Sequence, residues 1–105
     1  MRIRIVKPLT ETPEFVARRL GYKPWRNPKT GQKSFIRRTG ASFYPRFHLL
    51  IKPSKKAVET IFDLHFDARR PMHKKGVRSF EDFESPVVQK EAKRISAEIS
   101  QNYLK

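Results

Sequence analysis

The stretch that most constrains this chain is Ser42 to Asp67, SFYPRFHLLIKPSKKAVETIFDLHFD, which reads as two long antiparallel strands joined by a basic turn. Phe43, Pro45, Phe47, Leu49 and Ile51 alternate with Tyr44, Arg46, His48, Leu50 and Lys52, so one side of the first strand is apolar and the other carries functional groups. In the second strand Thr60, Phe62, Leu64 and Phe66 make one face, and Ile61, Asp63, His65 and Asp67 the other. A turn at Ser54 to Ala57 predicts Arg46 opposite His65 and His48 opposite Asp63, which sets these four side chains on one sheet face. A slip of one pair would keep the faces and change only the partners.

The flanking segments supply the remaining elements. Ile3 and Ile5 alternate with Arg2 and Arg4 in a short first strand that Pro8 ends. Thr12-Pro13-Glu14 is a helix start, and the helix runs to Leu20 and stops at Gly21, with Phe15, Val16 and Leu20 expected to face the sheet. Tyr22 to Arg26 and Gln32 to Arg38 form a hairpin around Asn27-Pro28-Lys29-Thr30-Gly31. Residues 68–84 lack periodicity and read as a long loop before the C-terminal helix. Ser85-Pro86 opens that helix, whose apolar stripe is Val88, Ala92, Ile95, Ile99 and Tyr103, with Glu91, Arg94 and Glu98 read as ion pairs on its outer side. The expectation is one α+β domain over residues 1–105, an antiparallel sheet of about four to five strands with both helices packed on its apolar face. The polar face, with Arg46, His48, His65 and Asp67, is then left to solvent or a ligand.

Charge narrows the partner. The net charge is +14, and it is uneven: residues 1–56 hold fifteen Lys/Arg against two acids, while residues 57–105 hold nine against eight. Such an unbalanced half repels itself, and a polyanion relieves that repulsion and releases counterions. The plain alternative is a basic surface kept for solubility, which does not account for the asymmetry. There is no cysteine, so a disulfide framework and a thiolate zinc site are excluded. No apolar run approaches the roughly 20 residues that span a bilayer, and Met1 to Lys7 is too short and too charged for a signal peptide, so a cytoplasmic protein without a membrane partner is expected. A phosphate-binding glycine loop, a nucleophile elbow and HExxH are all missing from the sequence.

The run helix, three strands, helix over residues 12–104 resembles the layout of double-stranded RNA-binding domains, which implies an RNA partner. That family carries a lysine cluster at the start of its last helix, whereas here Lys90, Lys93 and Arg94 come later and His73-Lys74-Lys75 falls in the preceding loop. The same layout resembles HicA-type RNA-cleaving toxins, in which a strand histidine is catalytic. The matching position is His48, with Phe47 where that family has glycine. YPRFHLLI followed by DLHFD is similar to segments of small bacterial proteins, a likeness that implies no activity.

Three constellations carry chemistry. Asp63, His65 and Asp67 with His48 offer oxygen and nitrogen ligands for Zn²⁺ or Mn²⁺, although no cofactor is otherwise expected. The same residues offer a histidine base oriented by a carboxylate, with Arg46 stabilising a phosphorane, which is the ribonuclease reading. Their plain alternative is a sheet surface with cross-strand Asp–His and Asp–Arg pairs. Trp25 and Tyr44 among Lys23, Arg26, Lys29, Lys33, Arg37, Arg38, Arg46, Lys52, Lys55 and Lys56, joined by Arg69, Arg70, Lys74 and Lys75 of the loop, suit phosphate contacts with base stacking; Phe35 is expected in the core. Taken together, these features predict a small basic protein that binds RNA in preference to DNA, with ribosome or ribonucleoprotein association as one form of that role. An acidic protein partner is the further alternative.

Overall fold

The computed structural model describes residues 1–67, 81–82 and 85–105. The elements are β1 (Arg2–Ile5), α1 (Pro13–Arg19), β2 (Lys23–Arg26), β3 (Lys33–Arg38), β4 (Arg46–Lys52), β5 (Thr60–Asp67), β6 (Glu81–Asp82) and α2 (Pro86–Asn102). The fold is α+β: a five-stranded antiparallel sheet in the order β1-β5-β4-β3-β2, with two helices, and with β6 extending the sheet for two residues beside the end of β5. The loop expected over residues 68–84, with Arg69, Arg70, Lys74 and Lys75, lies outside the described residues apart from β6.

Local chemistry accounts for the element ends. Thr12 caps α1, its Oγ1 accepting from the Phe15 N–H at 3.2 Å, and Pro13 occupies the first helical position. At the other end the Tyr22 N–H reaches the Ala17 carbonyl and the Gly21 N–H reaches that of Arg18, a Schellman arrangement that requires φ of +98° at Gly21. Glycine adopts that angle without a Cβ clash, so the helix stops there and the chain turns directly into β2. The hairpin loop closes on Asn27, whose Oδ1 accepts from the Lys29 and Thr30 N–H groups while its carbonyl accepts from Gly31. Ser85 caps α2 through Val88, as the sequence predicts.

The main core lies between the sheet and the helices. Ile3, Ile5, Phe35, Phe47, Leu49, Phe62 and Leu64 of the sheet meet Val16, Ala17 and Leu20 of the α1 segment and Val88, Ala92, Ile95 and Ile99 of α2. Phe35 is core, as expected. Phe15 is not: it is 43% exposed, with the Arg19 guanidinium 6.0 Å from its ring, and Ala17 takes the buried place instead. In a helix of seven residues, Val16, Ala17 and Leu20 already fill the inward arc, which turns Phe15 out.

The second sheet face differs more from expectation. Ile36, Leu50 and Ile61 on that face are buried, and so are Ser34, Arg46 and Asp67. The sheet is therefore largely covered on both sides, and the polar face is not left to solvent. The consecutive apolar residues Leu49-Leu50-Ile51 and Ile61-Phe62 are what a strand buried on both faces needs.

Candidate functional site

The central pair forms with its faces as predicted and its partners moved by one pair. Arg46 lies opposite Asp67, His48 opposite His65 and Leu50 opposite Asp63, which corrects the expected pairings Arg46–His65 and His48–Asp63. The turn is the cause. Pairing ends at Lys52 and Ile61, and the intervening loop is longer than Ser54 to Ala57. Pro53 has no N–H to donate, and Ser54 instead accepts from the Lys56 N–H and donates to Glu59 Oε1 at 2.7 Å.

This register makes a compact polar cluster on the second face. Arg46 Nε donates to Asp67 Oδ2 at 3.0 Å, and the two residues are 4% and 6% exposed. Three rings surround the same guanidinium, with Trp25, Phe43 and Tyr44 centroids at 4.5, 4.3 and 4.5 Å from Arg46 Cζ. His48 stands edge-on to Trp25 and to His65, and His65 Nε2 is 3.3 Å from Asp63 Oδ2. His48 Nδ1 is 3.9 Å from Asp67 Oδ2, beyond hydrogen-bond reach, and among the described residues neither ring nitrogen of His48 has a hydrogen-bond partner.

Phe43 belongs to this cluster although alternation assigns it to the apolar face. The strand begins only at Arg46, and the preceding segment carries Phe43 and Tyr44 across the outer face. Pro45 is the signal for that break, since it cannot donate to a ladder. Arg46 itself is a correction to the expected nucleic-acid surface. It is committed to Asp67 and the rings, and it presents almost no surface to a partner.

Burial pushes the pKa of His48 below its ordinary value of 6.5; Asp67 and Asp63 oppose this, while His65 and Arg46 reinforce it. The imidazole is therefore neutral in the folded protein at neutral pH, and the unfolded chain takes up a proton first on acidification. Stability contributed by this site is complete above 6.5 and is lost as pH falls toward the lowered folded-state value. Urea denaturation between pH 7.5 and 5.5 is expected to show falling stability, with a shallower dependence in His48→Gln; equal pH dependence in both proteins would contradict the assignment.

A second buried network joins the helices to the sheet. Glu91, 5% exposed, accepts from the Tyr22 hydroxyl at 2.7 Å and from Arg94 Nε and Nη2 at 2.7 and 2.9 Å. Arg37 Nη1 lies 3.5 Å from the same carboxylate, and Arg94 Nη2 also donates to the Leu20 carbonyl, where a cation suits the end of α1. Glu91 thus belongs to the interior, which corrects its placement on the outer side of α2. Burial acts to raise its pKa, but hydrogen bonds from Arg94 and Tyr22 and the charges of Arg94 and Arg37 outweigh this and lower it. Burial first, then the Glu91 charge and hydrogen bond, drive the Tyr22 hydroxyl far above its usual value.

The remaining basic residues do not share one face. Register places Lys23, Arg38 and Lys52 with the Arg46 side of the sheet, and Arg26, Lys33 and Arg37 with the helix side. Because β2 is the edge strand, the two sets meet around the β2–β3 edge. Lys23, Arg26, Lys29, Lys33 and Arg38 are exposed there, and Lys55 and Lys56 are exposed in the β4–β5 loop. Lys52 and Arg37 are half-buried, as are Trp25 and Tyr44.

No family model, curated protein or solved structure was found to match this chain. Among the described residues, no group of three or more His, Asp or Glu side chains is arranged to hold a metal ion, a set that includes His48, Asp63, His65 and Asp67. No helix among the described residues is long and apolar enough to cross a membrane.

Proposed function

We propose that the protein binds RNA, structured RNA in preference to duplex DNA, through the cations that wrap the β2–β3 edge and continue to the β4–β5 loop. The observation that carries this reading is the concentration of charge, fifteen Lys/Arg against two acids in residues 1–56, on side chains that are mostly exposed. Cations spread along an edge and a projecting loop suit a phosphate backbone followed by position, not by base identity. Trp25 and Tyr44, half-buried beside this edge, offer limited ring surface for stacking.

Binding is favoured over cleavage by the state of the second-face cluster. Arg46, the cation a ribonuclease would turn toward a phosphorane, is bonded to Asp67, and the side chains of His48 and His65 are only 14% and 12% exposed. A general base must come within hydrogen-bond reach of the substrate proton.

The reading predicts that Lys55→Glu combined with Lys56→Glu weakens binding to unrelated hairpin RNAs alike, by about tenfold or more at 100 mM salt, since each reversal replaces an attraction with a repulsion. Fluorescence anisotropy with two hairpins of different sequence measures this. Unchanged affinity, or loss confined to one sequence, would contradict it.

A further inference from the structure

The geometry points to the cleft between the start of β2 and the β3–β4 turn as the place where one backbone phosphate of the nucleic acid is gripped. This inference rests on the RNA-binding reading above and names its strongest contact. The cleft measures about 420 Å³ and is lined by Gly21, Lys23, Arg37, Arg38 and Gly40 among others. That volume is in the range of small-ligand sites, roughly 300–1,000 Å³, but the lining is cationic where most such sites are apolar.

The charge around the cleft is left in excess. Lys23 and Arg38 have no carboxylate within ion-pair distance among the described residues. Arg37 does touch Glu91, yet that single negative charge is already held by both nitrogens of the Arg94 fork at 2.7 and 2.9 Å. One carboxylate shared by two guanidinium groups leaves a positive charge over, and Lys23 and Arg38 add to it. Among the described residues, an anion is the partner this arrangement lacks.

Two of the cations are also held in place. The Arg37 stem crosses Gly21, with its Cδ and Nε 3.7 Å from where a Cβ would stand, and its guanidinium lies 5.9 Å from the Phe47 ring. Arg38 sits over Phe43 at 5.8 Å. A planar fork that is already positioned gives up less rotamer freedom on meeting phosphate oxygens than a free lysine does. At Gly40 a Cβ would meet nothing within 4 Å, so that wall of the cleft is open to a strand entering from solvent.

The test compares Lys23→Ala with Arg38→Ala against Lys55→Ala with Lys56→Ala, two double variants that remove equal charge at opposite ends of β4. Anisotropy with one labelled hairpin RNA across a salt series is expected to show a loss of about tenfold or more for the cleft variant and about threefold for the loop variant. Inorganic phosphate, followed by amide resonances, is expected to shift Gly21 and Gly40 in the wild type and not in the cleft variant. Equal losses in the two variants would overturn the cleft while leaving RNA binding in place. Absence of RNA affinity in the wild type would overturn both readings. Phosphate shifts at Gly21 and Gly40 without RNA affinity would overturn the assignment to a polymer phosphate, since the source would then be a free anion.

Discussion

Arg46→Ala is expected to cost about 3–5 kcal/mol of folding stability, the range for breaking a buried ion pair by removing one partner. Two effects add. The Asp67 carboxylate, 6% exposed, loses the Nε donor at 3.0 Å, and Asp67 Oδ1 already has no hydrogen-bond partner among the described residues. Trp25, Phe43 and Tyr44 also lose the flat cation they enclose, so the segment that crosses the outer face loses its anchor. Arg46→Lys keeps the charge without the planar group that three rings can share, and its cost should fall between wild type and alanine. Paired with Asp67→Ala, the alanine variant should cost less than the two single changes added, with a coupling above about 1 kcal/mol. Urea denaturation of wild type and the four variants measures these costs. A loss under about 1 kcal/mol for Arg46→Ala would mean that the pair behaves as an exposed one and that the cluster is not enclosed.

Glu91→Ala is expected to lower stability by about 2–3 kcal/mol, less than the full cost of a buried pair because Arg94 and Arg37 are partly exposed and can rehydrate. The Tyr22 hydroxyl cannot, since Tyr22 is 2% exposed and loses its acceptor at 2.7 Å. For a domain of this size the change corresponds to a fall in Tm of roughly 10–20 °C. The same carboxylate sets an acid limit. Its folded-state pKa is depressed, so its contribution is complete above the ordinary value of 4.5 and is lost as pH falls through the lowered one. The difference in Tm between wild type and Glu91→Ala should therefore be smaller at pH 3.5 than at pH 7. A change within about 0.5 kcal/mol at pH 7 would match an ordinary surface ion pair and contradict the network.

The signal for Glu91 was in the sequence. Position 91 is three after Val88 and four before Ile95, inside the apolar stripe and not opposite it. A carboxylate at such a position needs partners, and Arg94 was visible as one. Tyr22 was not, because it lies far along the chain and only the Schellman turn at Gly21 brings it under α2. Strand faces were legible for the same reason that the stripe was: period-two alternation through Phe47, Leu49, Phe62 and Leu64 leaves one assignment of inside and outside. The register was not. Alternation is unchanged by a one-pair slip, and the deciding contacts are those of Ser54 with Lys56 and Glu59 inside the loop.

Placement of the cations depended on edge and face together. Alternation alone puts Arg26, Lys33 and Arg37 on one side of the hairpin and Lys23 and Arg38 on the other, which argues against a single basic surface. Only the strand order, with β2 at the edge, lets both sets reach one partner. Arg46 went the other way. Its place among functional residues follows from parity, while its removal from the surface follows from the bond to Asp67 and from three rings, of which alternation assigns Phe43 to the opposite face.

The most direct test of RNA binding through this edge is an anisotropy titration of labelled hairpin RNA, the matched single strand and a matched DNA duplex over a salt series. Contact with about six phosphates predicts a log–log slope of affinity on salt of roughly −4 to −5, with the hairpin RNA bound most tightly. A flat salt response, or equally weak binding to all three nucleic acids, would contradict the account.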